Sequence, residues 1–236
     1  STQSSSGTKR LKPNVISRPK FGELKASELE RVCVLIVNYN SGQWLSRTIS
    51  VLRGCGSRYP SVRILDNGSV DGSVKNLPDI PGMDVIESKR NLGFGAGINR
   101  LARGVSQDYI LILNPDCLIV PESLERLIAE LDAYPNASMV SGRVFDMSGN
   151  EQRGSRRQLP SPSRLLKEML KFHFGSGVDL THQPAPESVC EVEAVSGACM
   201  LVRRVDFDAM NGFDTQFPMH FEDLDLMARL RLANQQ

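Results

Sequence analysis

Apolar runs too short for helices, separated by stretches of helical period, predict an α/β fold: a doubly wound, mostly parallel sheet with helices on both faces. Residues 32–37 (Val-Cys-Val-Leu-Ile-Val) and 109–113 (Tyr-Ile-Leu-Ile-Leu) are apolar at every position, which suits strands buried on both sides of a parallel sheet. Between them, Trp44, Leu45, Thr48, Ile49 and Leu52 recur at the spacing of one helix face. The runs end in polar clusters, and right-handed crossovers would collect those clusters at one edge of the sheet.

The elements follow in order. Residues 1–30 are rich in Ser, Lys, Arg and Pro and read as a flexible arm that cannot offset its own ordering entropy. The strand at 32–37 gives way to a polar break at Asn38-Tyr39-Asn40-Ser41-Gly42 and then to the Trp44 helix. A short strand at 62–65 ends at Asp66, and a helix is expected over 70–77. A third strand at 85–86, a helix over 97–103 and the strand at 109–113 come next. Pro121 suits the first position of a further helix, whose inner stripe is Leu124, Leu127, Ile128 and Leu131. Residues 193–202 read as a strand pair or a bend around Ser196, Gly197 and Ala198, or as one strand bulged at Gly197. The folded part, 31–236, divides into a half carrying the strand tips (31–120) and a second half (121–236).

At 236 residues the chain is long enough to bury a sizeable core. Lys and Arg total 28 against 27 Asp and Glu, a net charge of +1, so nothing global recruits nucleic acid. The five cysteines (Cys33, Cys55, Cys117, Cys190, Cys199) form no CxxC pair or His/Cys cluster, which argues against zinc and against a disulfide scaffold. Together with the lack of an apolar stretch of membrane-span length, this reads as a cytoplasmic protein. Residues 163–174 set basic side chains beside an apolar stripe. Such a helix either packs on the domain or rests peripherally on a membrane surface. His173, His182 and His220 show no ligand spacing, and the sequence carries no sign of oligomeric state.

Ligands of doubly wound sheets bind outside the carboxyl ends of the strands. Three polar tips, Asn38-Tyr39-Asn40, Asp66-Asn67-Gly68-Ser69 and Asn114-Pro115-Asp116, would therefore share one crevice. A carboxylate such as Asp66 can accept bonds from a base or a ribose, while Gly68 and Gly72 allow backbone to approach a ligand. An Asx-turn capped by Ser69 is the plainer account of the same stretch. The segment 91–99 (Asn-Leu-Gly-Phe-Gly-Ala-Gly-Ile-Asn) is Gly-rich before a helix. It fits phosphate contact or tight helix packing equally, and its place in the chain excludes a dinucleotide dehydrogenase. Asp116 is a hard oxygen donor suited to Mg²⁺ or Mn²⁺ shared with phosphate oxygens, or a simple turn cap. Glu222, Asp223 and Asp225 crowd among apolar neighbours, and a carboxylate at the edge of an apolar cleft suits a general base.

In this order and spacing, Val37-Asn38-Tyr39-Asn40-Ser41, residues 66–73, residues 91–99, Leu113-Asn114-Pro115-Asp116, Ser196-Gly197-Ala198 and residues 221–226 (Phe-Glu-Asp-Leu-Asp-Leu) resemble family 2 glycosyltransferases of GT-A fold, a Rossmann-like architecture. The bacterial rhamnosyltransferase-like group is the nearest in pattern, over about residues 32–230. The resemblance implies inverting transfer of a sugar, rhamnose in that group, from a nucleoside diphosphate sugar to a polysaccharide or lipid-linked acceptor. The inner face of the membrane is the implied setting. It implies that the nucleotide sugar meets Val37, Asn38, Tyr39, Asp66, Gly68, Asp71, Asn91, Gly95, Asn99 and Asn114. It further implies that Asp116 faces a divalent cation, Mg²⁺ or Mn²⁺, and that Asp223, beside Glu222, is the catalytic base. Asn114 stands where the family's Asp-x-Asp motif has its first acid. Relatives also continue past the position of Gln236 into a further strand and a loop with a histidine. A non-catalytic nucleotide-sugar-binding module is the alternative reading.

Overall fold

The computed structural model describes residues 28–54, 59–75, 77–159, 179–181, 183–217 and 221–233. The basic stretch at 163–174, the three histidines, Cys55 and all but the last three residues of the expected arm lie outside the described residues. Two compact units partition the chain, one holding residues 143–196 and the other residues 17–142 and 197–236.

In the larger unit, β1 (Val32–Asn38), β2 (Ser61–Asp66), β3 (Met83–Glu87) and β4 (Tyr109–Leu113) are joined by α1 (Trp44–Arg53) and α2 (Phe94–Ala102). After α3 (Pro121–Ala133) and β5 (Met139–Val140), the chain leaves this unit. It returns as β8 (Cys199–Arg203), α4 (Arg204–Ala209) and α5 (Glu222–Leu232). The sheet runs β3-β2-β1-β4-β8-β5. Its first four strands are parallel, and β8 is antiparallel to both β4 and β5. The crossover through α1 steps toward β2, whereas those through α2 and α3 step the other way, so right-handed connections put α1 opposite α2 and α3. All residues of β1 and β4 are buried, as their unbroken apolar runs require.

The smaller unit contains the antiparallel pair β6 (Arg156–Arg157) and β7 (Ala194–Val195). A buried Arg156–Glu151 ion pair at 2.8 Å anchors it.

Two expectations change and a third is narrowed. No helix forms over 70–75, where the chain makes consecutive turns. Gly68 and Gly72 sit at φ of 83° and 75°, and the Asp71 carboxylate accepts from Ser73 N–H. A side chain that bonds its own backbone in this way competes with the helix ladder. The helix expected over 97–103 begins at Phe94, because Gly93 at φ 86° turns the chain into it. Of the readings of 193–202 the bend holds: a turn at 197–198 separates β7 from β8, which belong to different sheets and so form neither a paired hairpin nor one bulged strand.

At the edge where β1 and β4 begin, Arg31 holds the structure together. Its guanidinium donates to Asp132 at 2.8 Å and Asp108 at 2.9 Å, pairs with Glu28, and lies 4.9 Å from the centre of the Tyr109 ring. Asp132, foremost among these partners, pushes the Arg31 pKa up. Leu29 is already buried, so residues 28–30 pack with the fold rather than with the arm. Arg203 reaches the same ring and donates to the carbonyls of Leu131 and Ala137, closing the end of α3.

Gly97 marks the closest approach of α2 to the sheet. Alanine inside a helix ordinarily adds up to ~1 kcal/mol over glycine. Here a Cβ would stand 2.7 Å from Val37 Cγ2 and 3.1 Å from Leu65 Cδ2. Gly97→Ala should therefore cost about 1–3 kcal/mol, read as a lower urea midpoint. A midpoint equal to or above the parent's would show that α2 does not press on the strands this way.

Candidate active site

The site is built where β1, β2 and β4 end. Asn38 closes β1, wholly buried, and its carboxamide nitrogen faces Asp66 Oδ1 at 2.9 Å, Ser73 Oγ at 2.8 Å and Ser69 Oγ at 3.1 Å. Its carbonyl oxygen accepts from the Ser41 hydroxyl. Asn40 extends the same stitching: its N–H donates to Ser69 Oγ at 2.9 Å and its side-chain oxygen accepts from Val70 N–H at 2.9 Å. Asp71 accepts from Gly42 N–H at 2.7 Å. The backbone and side chain of Ser73, then Gly42 N–H, hold its carboxyl below the usual carboxylate range. That contact persists at neutral pH and weakens only as acid protonates Asp71.

A second layer comes from Asn67, which is 2% exposed. Its amide donates to Asn91 Oδ1 at 2.8 Å and its oxygen accepts from Leu92 N–H at 2.8 Å. Asn91 Oδ1 also accepts from Gly93 N–H at 2.8 Å. Gly68 makes this possible, because a Cβ there would lie 3.1 Å from the Arg90 carbonyl carbon. The backbone that approaches Gly68 is the chain's own.

Asn114-Pro115-Asp116 leaves β4 as a tight turn, with Cys117 N–H donating to Asn114 O at 3.1 Å. Thr48 Oγ1 on α1 donates to Pro115 O at 2.7 Å. Asn114 N–H donates to Ala198 O at 2.9 Å, so the turn leading into β8 is fastened to the same edge. The thiols of Cys117 and Cys199 meet beside it. That contact, then burial, lifts the Cys199 thiol well above its usual value. Asp116 itself is exposed, and no hydrogen bond or ion pair among the described residues engages its carboxylate.

Asp223 lies in the first turn of α5. Its Oδ2 accepts from Gly197 N–H at 3.2 Å and its Oδ1 from Leu224 N–H at 2.8 Å, which fixes the carboxylate against the turn entering β8. Glu222, Asp223 and Asp225 all fall in that first turn, with Arg229 and Arg231 in the last. The helix dipole accounts for this placement, which the sequence showed only as crowded charge. Arg229 pairs with Asp225 at 2.7 Å and donates to Met210 O at 2.7 Å and Gly212 O at 2.9 Å. From the other side, Asn99 donates to Phe213 O at 2.8 Å and accepts from Phe213 N–H at 2.9 Å. The turn at 210–213 is thus clasped between α2 and α5.

Asp66, Asp116 and Asp223 accordingly sit at one sheet edge. The ends of β2 and β4 are two strand spacings apart, about 10 Å. Among the described residues, no group of three or more His, Cys, Asp or Glu is arranged to hold a metal ion. A cation here would take Asp116 and find its other ligands on a substrate or in water, as Mg²⁺ commonly does.

Several of the expected contact residues carry structural duties in the fold. Asn38 is consumed by its network, Val37 lies under Gly97, and Gly95 touches Phe213, where a Cβ would come within 3.0 Å. Asn99 clasps the 210–213 turn and Asn91 braces the Gly93 corner. Tyr39 is 52% exposed, and Asp116 in the turn at 114–116 is exposed as well. Sequence reasoning missed Asn67, Thr48 and Arg229. Only Arg229 had a readable signal, its i,i+4 spacing from Asp225.

The profile of the family described as Glycosyl transferase family 2 matches residues 33–183. The N-acetylglucosaminyl-diphospho-decaprenol L-rhamnosyltransferase of Mycobacterium tuberculosis is 29% identical over 216 residues, covering 85% of this chain and 70% of that protein. Rhamnosyltransferase WbbL of Escherichia coli is 27% identical over 211 residues, covering 86% of this chain and 77% of its own length. Among solved structures, mannosyltransferase PcManGT from Pyrobaculum calidifontis, in complex with GDP-Man and Mn²⁺, superposes with a TM-score of 0.58 at 16% identity. That match covers 98% of this chain and 57% of the mannosyltransferase, and it concerns the fold.

Asn38→Ala should leave the Asp66, Ser69, Ser73 and Ser41 side chains short of a partner beneath the site. A cost of about 2–4 kcal/mol follows for such a buried network, a fall of roughly 5–15 °C in Tm. A variant that melts with the parent would remove Asn38 from its place as the hub.

Proposed function

Because the chain belongs to glycosyl transferase family 2, in its rhamnosyltransferase-like group, we propose that it transfers L-rhamnose from a nucleoside diphosphate to the sugar of a lipid-linked saccharide. The acceptor class we propose is an N-acetylglucosaminyl diphosphate lipid, the kind named in its mycobacterial relative. Such an acceptor places the reaction at a membrane surface. No helix among the described residues is long and apolar enough to cross one.

One observation carries the proposal. Gly197 N–H holds Asp223, and the neighbouring Ala198 carbonyl holds Asn114, two residues before Asp116. Two backbone bonds on adjacent residues thereby set a candidate base beside a candidate diphosphate site. In this reading Asp66 and the exposed Tyr39 meet the nucleoside at the β1–β2 end, and the diphosphate extends toward β4. Asp116 would hold a divalent cation, Mg²⁺ or Mn²⁺, which when bound offsets the charge of the departing diphosphate. Asp223 takes the proton of the acceptor hydroxyl. The freed oxygen then bonds the anomeric carbon from the side opposite the leaving group, the bond to the phosphate oxygen breaks, and the configuration inverts.

Asp223→Asn should lower turnover by ~10²-fold or more while nucleotide affinity stays within about twofold, since the base acts on the acceptor alone. Equal loss of both in a turnover and titration experiment would take the base role from Asp223. A thermal-shift comparison of dTDP, UDP and GDP with Mn²⁺ tests the donor. Saturating dTDP should add about 2–3 kcal/mol at a hundredfold excess over Kd. A shift with UDP or GDP alone would exclude a dTDP-linked donor, and a shift indifferent to chelation would leave Asp116 without its cation.

A further inference from the structure

Phe221 is placed against both of the preferences that usually decide where a phenylalanine goes. Its backbone is left-handed, at φ 70°, a conformation that bulky side chains rarely adopt and that favours glycine or asparagine. The residue is 60% exposed, so burial does not recompense the strain. Its backbone carbonyl accepts from Asp225 N–H at 2.8 Å as α5 opens, which asks nothing of the side chain. A strained residue with an exposed ring is a combination found at functional sites.

Its location gives the ring a task. Phe221 stands two residues ahead of Asp223, so their Cα atoms are no more than about 7 Å apart. Asp223 is turned toward the Gly197 N–H at the sheet edge, where an acceptor hydroxyl would have to arrive. A pyranose ring offers one polar rim of hydroxyls and a face of C–H bonds. An aromatic ring carries negative charge density on its face, attracts such C–H groups and sheds water from them.

We propose that Phe221 is an acceptor-binding residue, whose ring packs against the C–H face of the sugar that Asp223 deprotonates. This rests on the reading of Asp223 as the base. The exposure of Phe221 leaves its ring accessible to that sugar.

The test uses dTDP-rhamnose with N-acetylglucosaminyl diphosphate esterified to alkyl tails of two lengths. Glycine at 221 removes the ring and relieves the backbone. Phe221→Gly should raise the acceptor KM about tenfold, leave the donor KM within twofold, and melt at or above the parent's temperature. Phe221→Tyr and Phe221→Trp should restore the acceptor KM. If glycine there prevents folding, Phe221→Asn, which also tolerates the left-handed region, takes its place. An acceptor KM within twofold of the parent overturns the proposal, as does an effect seen with the long tail and absent with the short one, since that would assign the ring to lipid. Parent protein that does not turn over either acceptor refutes the acceptor class, and this proposal falls with it. Asp223→Asn reports separately on the base: full turnover in that variant would overturn the base while a changed acceptor KM in Phe221→Gly still located the ring.

Discussion

The site depends on β8 running against its neighbours. A parallel strand beside β4 would have delivered its C-terminal end to the edge where β1, β2 and β4 finish. The antiparallel pairing, with Cys199 opposite Leu113, delivers instead the turn that precedes it. The Ala198 carbonyl is therefore available to Asn114 and the Gly197 N–H to Asp223. Gly197 suits that role because a Cβ there would lie 3.3 Å from Asp223 Oδ2, tighter than most side chains tolerate. One reversal of strand direction thus brings residues about a hundred positions apart into the same short chain of hydrogen bonds.

The two ends of the sheet solve different problems. At the end where β1 and β4 begin, Arg31 is spent on the carboxylates of Asp132, Asp108 and Glu28 beside Tyr109, whose ring Arg203 also reaches. At the other end the donors are amides, hydroxyls and backbone N–H groups around Asn38 and Asn67, with Asp66 and Asp71 among the acceptors and no cation among the described residues of the network. Neutral donors can fix loops without surrounding them with positive charge, so the carboxylates set the local field. A buried network fully satisfied in this way also rigidifies what it supports. Asp66 and the turn at 66–73 are held by that rigidity.

Much of this was legible in the residues. Every-position burial of β1 and β4 follows from runs with no polar interruption, and Pro121 opened its helix where expected. The polar strand tips also fall at one edge of the sheet, as their order in the chain suggested. What could not be read was which tip residues serve a ligand and which serve the fold. Asn38 and Asn99 look like ligand contacts in a motif, yet their amides bond partners at positions 66, 73 and 213. Sequence spacing carries no distance between such positions. The helix expected over 70–77 failed for a local reason, since Gly68, Gly72 and Asp71 together favour turns. The apolar residues there signalled a period that the turn chemistry overrode.

Asn114 is the departure that bears most on chemistry, and the structure separates its two possible effects. The 114–116 turn is shaped by main-chain groups: Asn114 N–H to Ala198, Cys117 N–H to Asn114 O, and Pro115 O to the Thr48 hydroxyl. None of these bonds uses the Asn114 side chain, and no hydrogen bond among the described residues does. An amide in place of an acid therefore leaves the turn's geometry intact and removes one negative charge beside Asp116. A site with one carboxylate attracts a free cation weakly and gains most of its ligands when a diphosphate arrives, because the missing charge is then supplied by the substrate. On the function proposed above, Asn114 would suit a centre in which cation and donor bind together, each completing what the other lacks.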